Sequence, residues 1–166
     1  MQRNIWLDAD GVLVDFNGSC ERKFGAHPRH LTFDCPENGL LKGDRALWAH
    51  VETDPDFWLD MIPFDHAEEL VEMCRPYGVQ ILTGCPATGY DRASAHKKEK
   101  LGKLFGVPVI TCRSKDKPLH MSSPGDILVD DFVRNVKKWR EAGGHAILFK
   151  TWEQARAELE EAIANF

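Results

Sequence analysis

The stretch that decides the fold is Arg3-Asn4-Ile5-Trp6-Leu7-Asp8-Ala9-Asp10-Gly11-Val12-Leu13-Val14-Asp15. Its apolar run predicts a short buried strand that ends at two carboxylates, Asp8 and Asp10. In an open α/β sheet, ligands bind just beyond the carboxyl ends of the strands. Two like charges this close need a cation between them, or one of them must hold a proton. The pair is therefore a candidate metal site, nucleophile or both, although acidic pairs in turns are also typical of solvated loops and helix caps.

The composition is that of an ordinary globular protein. The chain has 166 residues, of which 43% are hydrophobic and 28% charged, so we expect one domain with room for a modest insertion. A net charge of -5 argues against a long nucleic acid as partner but allows a small phosphorylated metabolite. The N-terminus leads straight into the first strand, and no apolar stretch approaches the roughly 18 residues of a membrane span, so we expect a cytoplasmic protein. The five cysteines lack C-x-x-C spacing, which favours reduced thiols over disulfides or zinc.

Short apolar runs and helical patterns alternate along most of the chain. The strands are predicted at Asn4–Leu7, Val79–Leu82, Val107–Thr111, Ile127–Val129 and Ala146–Phe149. The helices are predicted at Asp65–Arg75, Asp91–Phe105 and Phe132–Ala142, followed by a last helix whose capping box, Thr151 with Gln154, precedes an apolar stripe that runs to Phe166. This alternation predicts an α/β, Rossmann-like fold with a parallel sheet covered on both faces.

Residues 16–64 interrupt this alternation and are rich in Pro, Gly, His and aromatic residues. Short helices are predicted near Ser19–Phe24 and Asp44–Val51. Because the segment follows the first strand, it would lie above the carboxyl end of the sheet and act as a lid. We interpret it as a small, mainly helical cap on a core made of residues 1–15 and 65–166.

Two further strand ends carry groups that suit an anion. Thr83 offers a hydroxyl and Gly84 an accessible backbone N–H, although a helix cap or a simple turn would use the same residues. After the third strand, Lys115 or Lys117 could neutralise charge on a phosphoryl group, although lysines are common in exposed loops. The basic run from His96 to Lys100 is interpreted as a solvated helix face.

The fourth strand ends at a second acidic pair, Asp130-Asp131. Carboxylate oxygens from two strand ends suit Mg²⁺, whereas zinc is disfavoured because no His/Cys cluster accompanies them. Helix capping is the alternative reading of Asp131, but it leaves Asp130 unexplained. Chance would rarely place an acid pair, a hydroxyl, a lysine and a second acid pair after four different strands of one sheet.

This order of motifs resembles the haloacid dehalogenase-like (HAD) phosphohydrolases. Asp8-Ala9-Asp10-Gly11-Val12-Leu13 is similar to the first motif of that superfamily, Thr83 to the second, Lys115 or Lys117 to the third, and Ile127-Leu128-Val129-Asp130-Asp131 to the fourth. Within the superfamily, Val14-Asp15-Phe16, Phe57-Trp58 and Pro63 resemble the 5'(3')-deoxyribonucleotidase group. The third-motif lysine lies farther from the fourth motif than in that group, and the start of the cap, Ala26–Leu31, has no clear counterpart.

The resemblance implies a magnesium-dependent phosphomonoesterase. Asp8 would attack phosphorus, Asp10 would act as general acid and then base, and Thr83, Gly84 and a lysine, Lys117 rather than Lys115, would hold the phosphoryl oxygens. Mg²⁺ would be held by Asp8, the Asp10 carbonyl and Asp131, with Asp130 as a further acidic group.

The expected substrate is a nucleoside 5'-monophosphate, and Phe16, Phe57 and Trp58 could stack on its base or form the core of the cap. Another small phosphate ester, a nucleic-acid 3'-phosphate and a non-catalytic binding module are the alternatives.

Overall fold

The computed structural model describes residues 3–165, so Phe166 of the predicted apolar stripe lies outside the described residues. Five parallel strands form one sheet in the order β5-β4-β1-β6-β7. They are β1 (Ile5–Leu7), β4 (Gln80–Gly84), β5 (Val109–Cys112), β6 (Ile127–Asp130) and β7 (His145–Leu148). β1 lies in the centre, paired with β4 on one side and β6 on the other. The order reverses at β1, which is where open α/β sheets form their ligand crevice.

Alternate residues of the strands pack into two separate apolar clusters, one on each face of the sheet. Ile5 and Leu7 belong to the larger cluster, which also holds residues of α3 (Ala67–Cys74), α4 (Tyr90–Phe105) and α6 (Trp152–Ala164). Trp6 belongs to the smaller cluster with Trp139 of α5 (Val133–Glu141). Helices thus cover both faces of the sheet, which confirms the predicted fold class.

The predicted core elements agree with the observed ones to within one or two residues at most ends. The capping box of the last helix is confirmed, since Gln154 N–H donates to the Thr151 hydroxyl and the Gln154 side chain accepts from the Thr151 backbone. All five cysteines are free thiols. Within residues 3–165, no helix is both long and apolar enough to cross a membrane.

Residues 16–64, hereafter the cap segment, form α1 (Phe16–Phe24), a 3₁₀ turn (Pro28–His30), an antiparallel hairpin of β2 (Thr32–Cys35) and β3 (Gly39–Lys42), and α2 (Asp44–Thr53). The two helices agree with the prediction, but the hairpin was not predicted. Its strands bury none of their residues fully, so no apolar run marks them in the sequence. The turn residues Pro36 and Asn38-Gly39 were the available signal.

The cap segment is tied to the core where the chain leaves and re-enters it. Asp15 N–H donates to the Ile62 carbonyl (2.8 Å), and Phe64 N–H donates to the Leu13 carbonyl (2.9 Å). A salt bridge of 3.1 Å between Arg92 of α4 and Glu52 of α2 adds a contact away from these crossings. These contacts hold the cap segment over the carboxyl end of β1.

Candidate active site

The carboxyl ends of the parallel strands bring the predicted side chains to one side of the sheet. Asp8 follows β1, Thr83 lies in β4 and Asp130 ends β6. Lys117 lies on a 3₁₀ helix, Ser114–His120, that follows β5. A cavity of about 550 Å³ opens there between core and cap segment, and its lining includes Asp8, Asp10, Asp131, Gly84, Phe16, Trp48, Trp58 and Arg113.

Lys117 is buried between two carboxylates. Its ammonium donates to Asp8 Oδ1 at 2.7 Å and to Asp130 Oδ2 at 2.6 Å, and its side chain is 1% exposed. Burial alone lowers the pKa of Lys117, but the attraction of Asp8 and Asp130 outweighs it and raises the pKa overall. Lys115, two residues earlier on the same 3₁₀ helix, is exposed to solvent. The geometry therefore brings Lys117, and not Lys115, to Asp8.

Asp130 is fully buried and its oxygens are already engaged. Oδ2 accepts from Lys117 and from the Asn135 side chain (3.0 Å), and Oδ1 accepts from Phe132 N–H (2.8 Å). Burial and the nearby Asp8 raise the pKa of Asp130 to about 6, although Lys117 opposes that rise. Asp130 thus holds Lys117 in place, and Asn135 of α5 is a contributor that the sequence analysis did not identify.

Asp131 borders the cavity and is exposed to it. Its removal from bulk water, followed by repulsion from Asp8, Asp130 and Asp10, raises its pKa to about 8. The alternative reading as a helix cap does not hold, because α5 has Phe132 at its N-cap position and no side-chain cap.

These carboxylates form a group that fits a hard divalent cation. One oxygen each of Asp8, Asp130 and Asp131 lies within 4.8 Å of the others. Three acids share a single lysine there, so the group carries excess negative charge. Oxygen ligands in such a group suit Mg²⁺. Because three donors already occupy Asp130, the carboxylates of Asp8 and Asp131 are the better placed ligands.

The Asp10 side chain makes a contact that was not predicted. Lys97 of α4 donates to Asp10 Oδ2 at 2.5 Å, to Thr83 Oγ1 at 3.0 Å and to the Gly84 carbonyl at 2.7 Å. Its Nζ also lies 4.4 Å from the centre of the Trp58 ring. The side chain of Lys97 is 3% exposed, so the interpretation of residues 96–100 as a solvated face is wrong at this position.

Position 97 carried a sequence signal. The buried residues of α4 are Ala93, Lys97, Leu101 and Phe105, spaced four apart. Residues at this spacing lie on one helix face. A lysine within an otherwise apolar stripe indicates a buried charge, and buried charges need partners.

Thr83 and Gly84 lie next to each other at the end of β4, but only Gly84 borders the cavity. Thr83 is fully buried behind the cavity wall, whereas Gly84 borders the cavity. The helix-cap interpretation of Thr83 is wrong, because Gly89 occupies the N-cap position of α4. A side chain at position 84 would overlap the Ser114 hydroxyl, so glycine permits the close approach of the end of β4 to the start of the 3₁₀ helix.

The three aromatic residues considered as base contacts differ in position. Phe57 is fully buried, with its ring 5.5 Å from Phe24 and 4.9 Å from Trp58, so it belongs to the core of the cap segment. Phe16 and Trp58 border the cavity and stack on each other at 6.0 Å. Trp48, which the sequence analysis did not single out as a contact, lies beside them.

Gly11 is required by the packing of the acidic loop. Its φ of +81° lies in the left-handed region, and a Cβ there would overlap the Asp131 carboxylate. The glycine therefore lets the loop that carries Asp8 and Asp10 approach Asp131 closely.

No protein-family model and no curated protein sequence matches the chain. Solved structures do match over nearly its whole length. A predicted phosphatase from Clostridium acetobutylicum aligns over 100% of both chains with 12% identity and a TM-score of 0.58. A haloacid dehalogenase-like family hydrolase from Xanthomonas campestris aligns over 98% of this chain and 92% of its own, with 11% identity and a TM-score of 0.56.

The chain has the fold of the HAD-like hydrolases. An L-2-haloacid dehalogenase from Xanthobacter autotrophicus also shares this HAD-like fold, with 15% identity, a TM-score of 0.55, and coverage of 97% of this chain and 83% of its own. Since phosphatases and dehalogenases both use the HAD-like fold, the chemistry of this chain has to be argued from its site.

Proposed function

We propose that this protein is a Mg²⁺-dependent phosphomonoester hydrolase that works through an aspartyl-phosphate on Asp8. One observation carries the proposal: Asp8 is held by Lys117 at the wall of a cavity where a second acid, Asp10, and a third, Asp131, are also present. A carboxylate nucleophile, an acid–base group and a cation site are the parts that this chemistry needs.

In the first step, a carboxylate oxygen of Asp8 attacks phosphorus and the bond from phosphorus to the ester oxygen breaks. Asp10 gives its proton to that oxygen, so the alcohol leaves in neutral form. In the second step, Asp10 takes a proton from water, whose oxygen attacks phosphorus and breaks the bond to Asp8. Inorganic phosphate leaves, and both aspartates return to their starting states.

The remaining groups hold the phosphoryl oxygens. The Gly84 N–H supplies a donor at the cavity wall, with the Thr83 hydroxyl directly behind it, and Lys117 supplies positive charge beside Asp8. The Asp8 and Asp131 carboxylates and the Asp10 carbonyl would hold Mg²⁺, which would offset the negative charge of the phosphoryl oxygens.

The cavity favours a substrate whose alcohol part is flat and apolar. Phe16, Trp48 and Trp58 supply aromatic surface from the cap segment, and Arg113 supplies a cation at the core side. A nucleoside 5'-monophosphate combines a phosphate with a ring that can stack on such surface, so it is the first substrate to test.

Asp10 separates this proposal from its alternatives. HAD-like dehalogenases lack an acid at the corresponding position, whereas hydrolysis of a phosphate ester needs a proton for the leaving oxygen. A binding module without turnover would need neither Asp8 nor Asp10. The net charge of -5 argues against a nucleic-acid 3'-phosphate.

A phosphate-release screen tests the proposal. The purified protein should release phosphate from an aryl phosphate and from one or more of the deoxy- and ribonucleoside monophosphates when Mg²⁺ is present, and a chelator should abolish the release. Asp8→Asn should retain the fold and lose activity by about 10³-fold or more. Activity in Asp8→Asn, or activity with zinc alone, would contradict the proposal.

A further inference from the structure

Lys97 links four groups that come from three parts of the molecule. Its ammonium contacts Asp10 in the acidic loop, Thr83 and Gly84 at the end of β4, and the Trp58 ring of the cap segment. A lysine ammonium has three protons to donate, and the three oxygen acceptors account for all of them. The ring covers the ammonium from the cap side, in the geometry of a cation–π contact.

The two oxygens of Asp10 have different surroundings. Oδ2 accepts from Lys97, whereas Oδ1 is buried and has no hydrogen-bond partner within residues 3–165. Asp10 also lines the cavity. Lys97 is therefore the hydrogen-bond donor that orients the Asp10 carboxyl at the cavity wall.

We propose that Lys97 is a positioning residue that fixes the Asp10 carboxyl through Oδ2, so that the carboxyl is held in place for proton transfer at the cavity wall. The role rests on the proposed function, because it describes how Asp10 acts as acid and base. In the first step, the proton moves from the Asp10 carboxyl to the ester oxygen as that oxygen leaves phosphorus. In the second, a water proton moves to the Asp10 carboxylate as the water oxygen attacks phosphorus and the bond to Asp8 breaks.

The contact with Thr83 has a second consequence. Thr83 is buried behind the cavity wall, so its oxygen and the Gly84 carbonyl tie the end of β4 to Asp10 through Lys97. Lys97 therefore fixes Asp10 relative to Gly84, which borders the cavity. Trp58 makes this arrangement depend on the position of the cap segment.

Leaving-group dependence tests the role of Lys97. An alkyl phosphate needs its leaving oxygen protonated, whereas p-nitrophenyl phosphate releases a stable anion and needs little help. Lys97→Met should lower kcat/KM for the most active alkyl phosphate of the screen about tenfold more than for p-nitrophenyl phosphate. kcat/KM is compared because it reports the steps up to release of the alcohol and therefore excludes hydrolysis of the aspartyl-phosphate. Lys98→Met, an exposed neighbour on the same helix, should leave both values unchanged.

A double-mutant cycle sharpens the test. Asp10→Asn should show the same preference for the aryl ester, and adding Lys97→Met should not increase it, because Lys97 acts through Asp10. An equal loss for both esters in Lys97→Met, or full additivity with Asp10→Asn, would overturn the proposal. If Lys97→Met does not fold, Lys97→Gln keeps a polar group at the position and is judged by the same ratio. An inactive wild-type protein would instead reject the proposed function itself.

Discussion

Lys117 and Lys97 are both buried lysines of one site, yet their surroundings differ. Lys117 lies between Asp8 and Asp130 inside the core, with Asp131 nearby, so three acids share one cation. Lys97 pairs with a single acid, Asp10, and reaches the cap segment through Trp58. The Lys117 side therefore carries the excess negative charge that a metal ion would balance. The Lys97 side has one cation for one acid, so it carries no such excess.

The largest expected effect is the loss of Lys117. Lys117→Met leaves Asp8 and Asp130 buried without their cation, which should lower the free energy of unfolding by about 3–5 kcal/mol. Urea denaturation of the metal-free protein at neutral pH measures this. Lys115→Met is the matched control, because Lys115 is exposed on the same 3₁₀ helix and its loss should change stability by less than about 0.5 kcal/mol. Similar losses for the two variants would contradict the assignment of Lys117.

The next effect is a pH dependence of metal binding on the Lys117 side. The pKa of Asp131 is raised from 3.8 to about 8, so the metal-free folded state holds a proton that the unfolded state releases. This group therefore makes folding less favourable as the pH rises from about 4 to about 8. Mg²⁺ binds the ionised carboxylate, so its affinity should rise by up to about tenfold per pH unit between pH 6 and 8.

Calorimetric titration of Mg²⁺ at pH 6, 7 and 8 measures this dependence. Asp131→Asn is the control, and it should bind Mg²⁺ weakly with little change over the same range. An affinity of the wild-type protein that does not change with pH would place the metal elsewhere.

The smallest expected effect is the loss of stability on removing the Lys97 ammonium, whose partner Asp10 is partly exposed to solvent. Lys97→Met should lower the free energy of unfolding by about 1–3 kcal/mol, because the Gly84 carbonyl and Asp10 Oδ2 lose a donor. The loss should be smaller than for Lys117→Met, since the Asp10 side chain is 26% exposed and water can replace the ammonium. Urea denaturation of Lys97→Met measures this loss, with Lys98→Met as the control. A loss as large as that of Lys117→Met would remove the distinction between the two sides.

The sheet and the positions of the acids could be predicted because the physical signal is local. Ile5–Leu7 and Ile127–Val129 are apolar runs that end at carboxylates, and strand burial alone accounts for both. Parallel strands then bring their carboxyl ends together without any further information.

The contacts across the site could not be predicted in the same way. The choice between Lys115 and Lys117 depends on the path of a 3₁₀ helix that the apolar pattern does not reveal. The role of Lys97 depends on a helix that packs one lysine inward within a polar run. Its spacing from Ala93 and Leu101 was informative, but the charges around it concealed the pattern.

The most direct test of the central claim is to trap the phosphorylated aspartate. Asp10→Asn lacks the base for the second step, and p-nitrophenyl phosphate does not need the acid for the first. Mixing the two with Mg²⁺ should therefore release one nitrophenolate per protein in a burst, followed by slow turnover. Borohydride should then convert Asp8, identified by peptide mass spectrometry, to homoserine. A protein that turns over without a burst, or that is modified at another residue, would contradict an aspartyl-phosphate on Asp8.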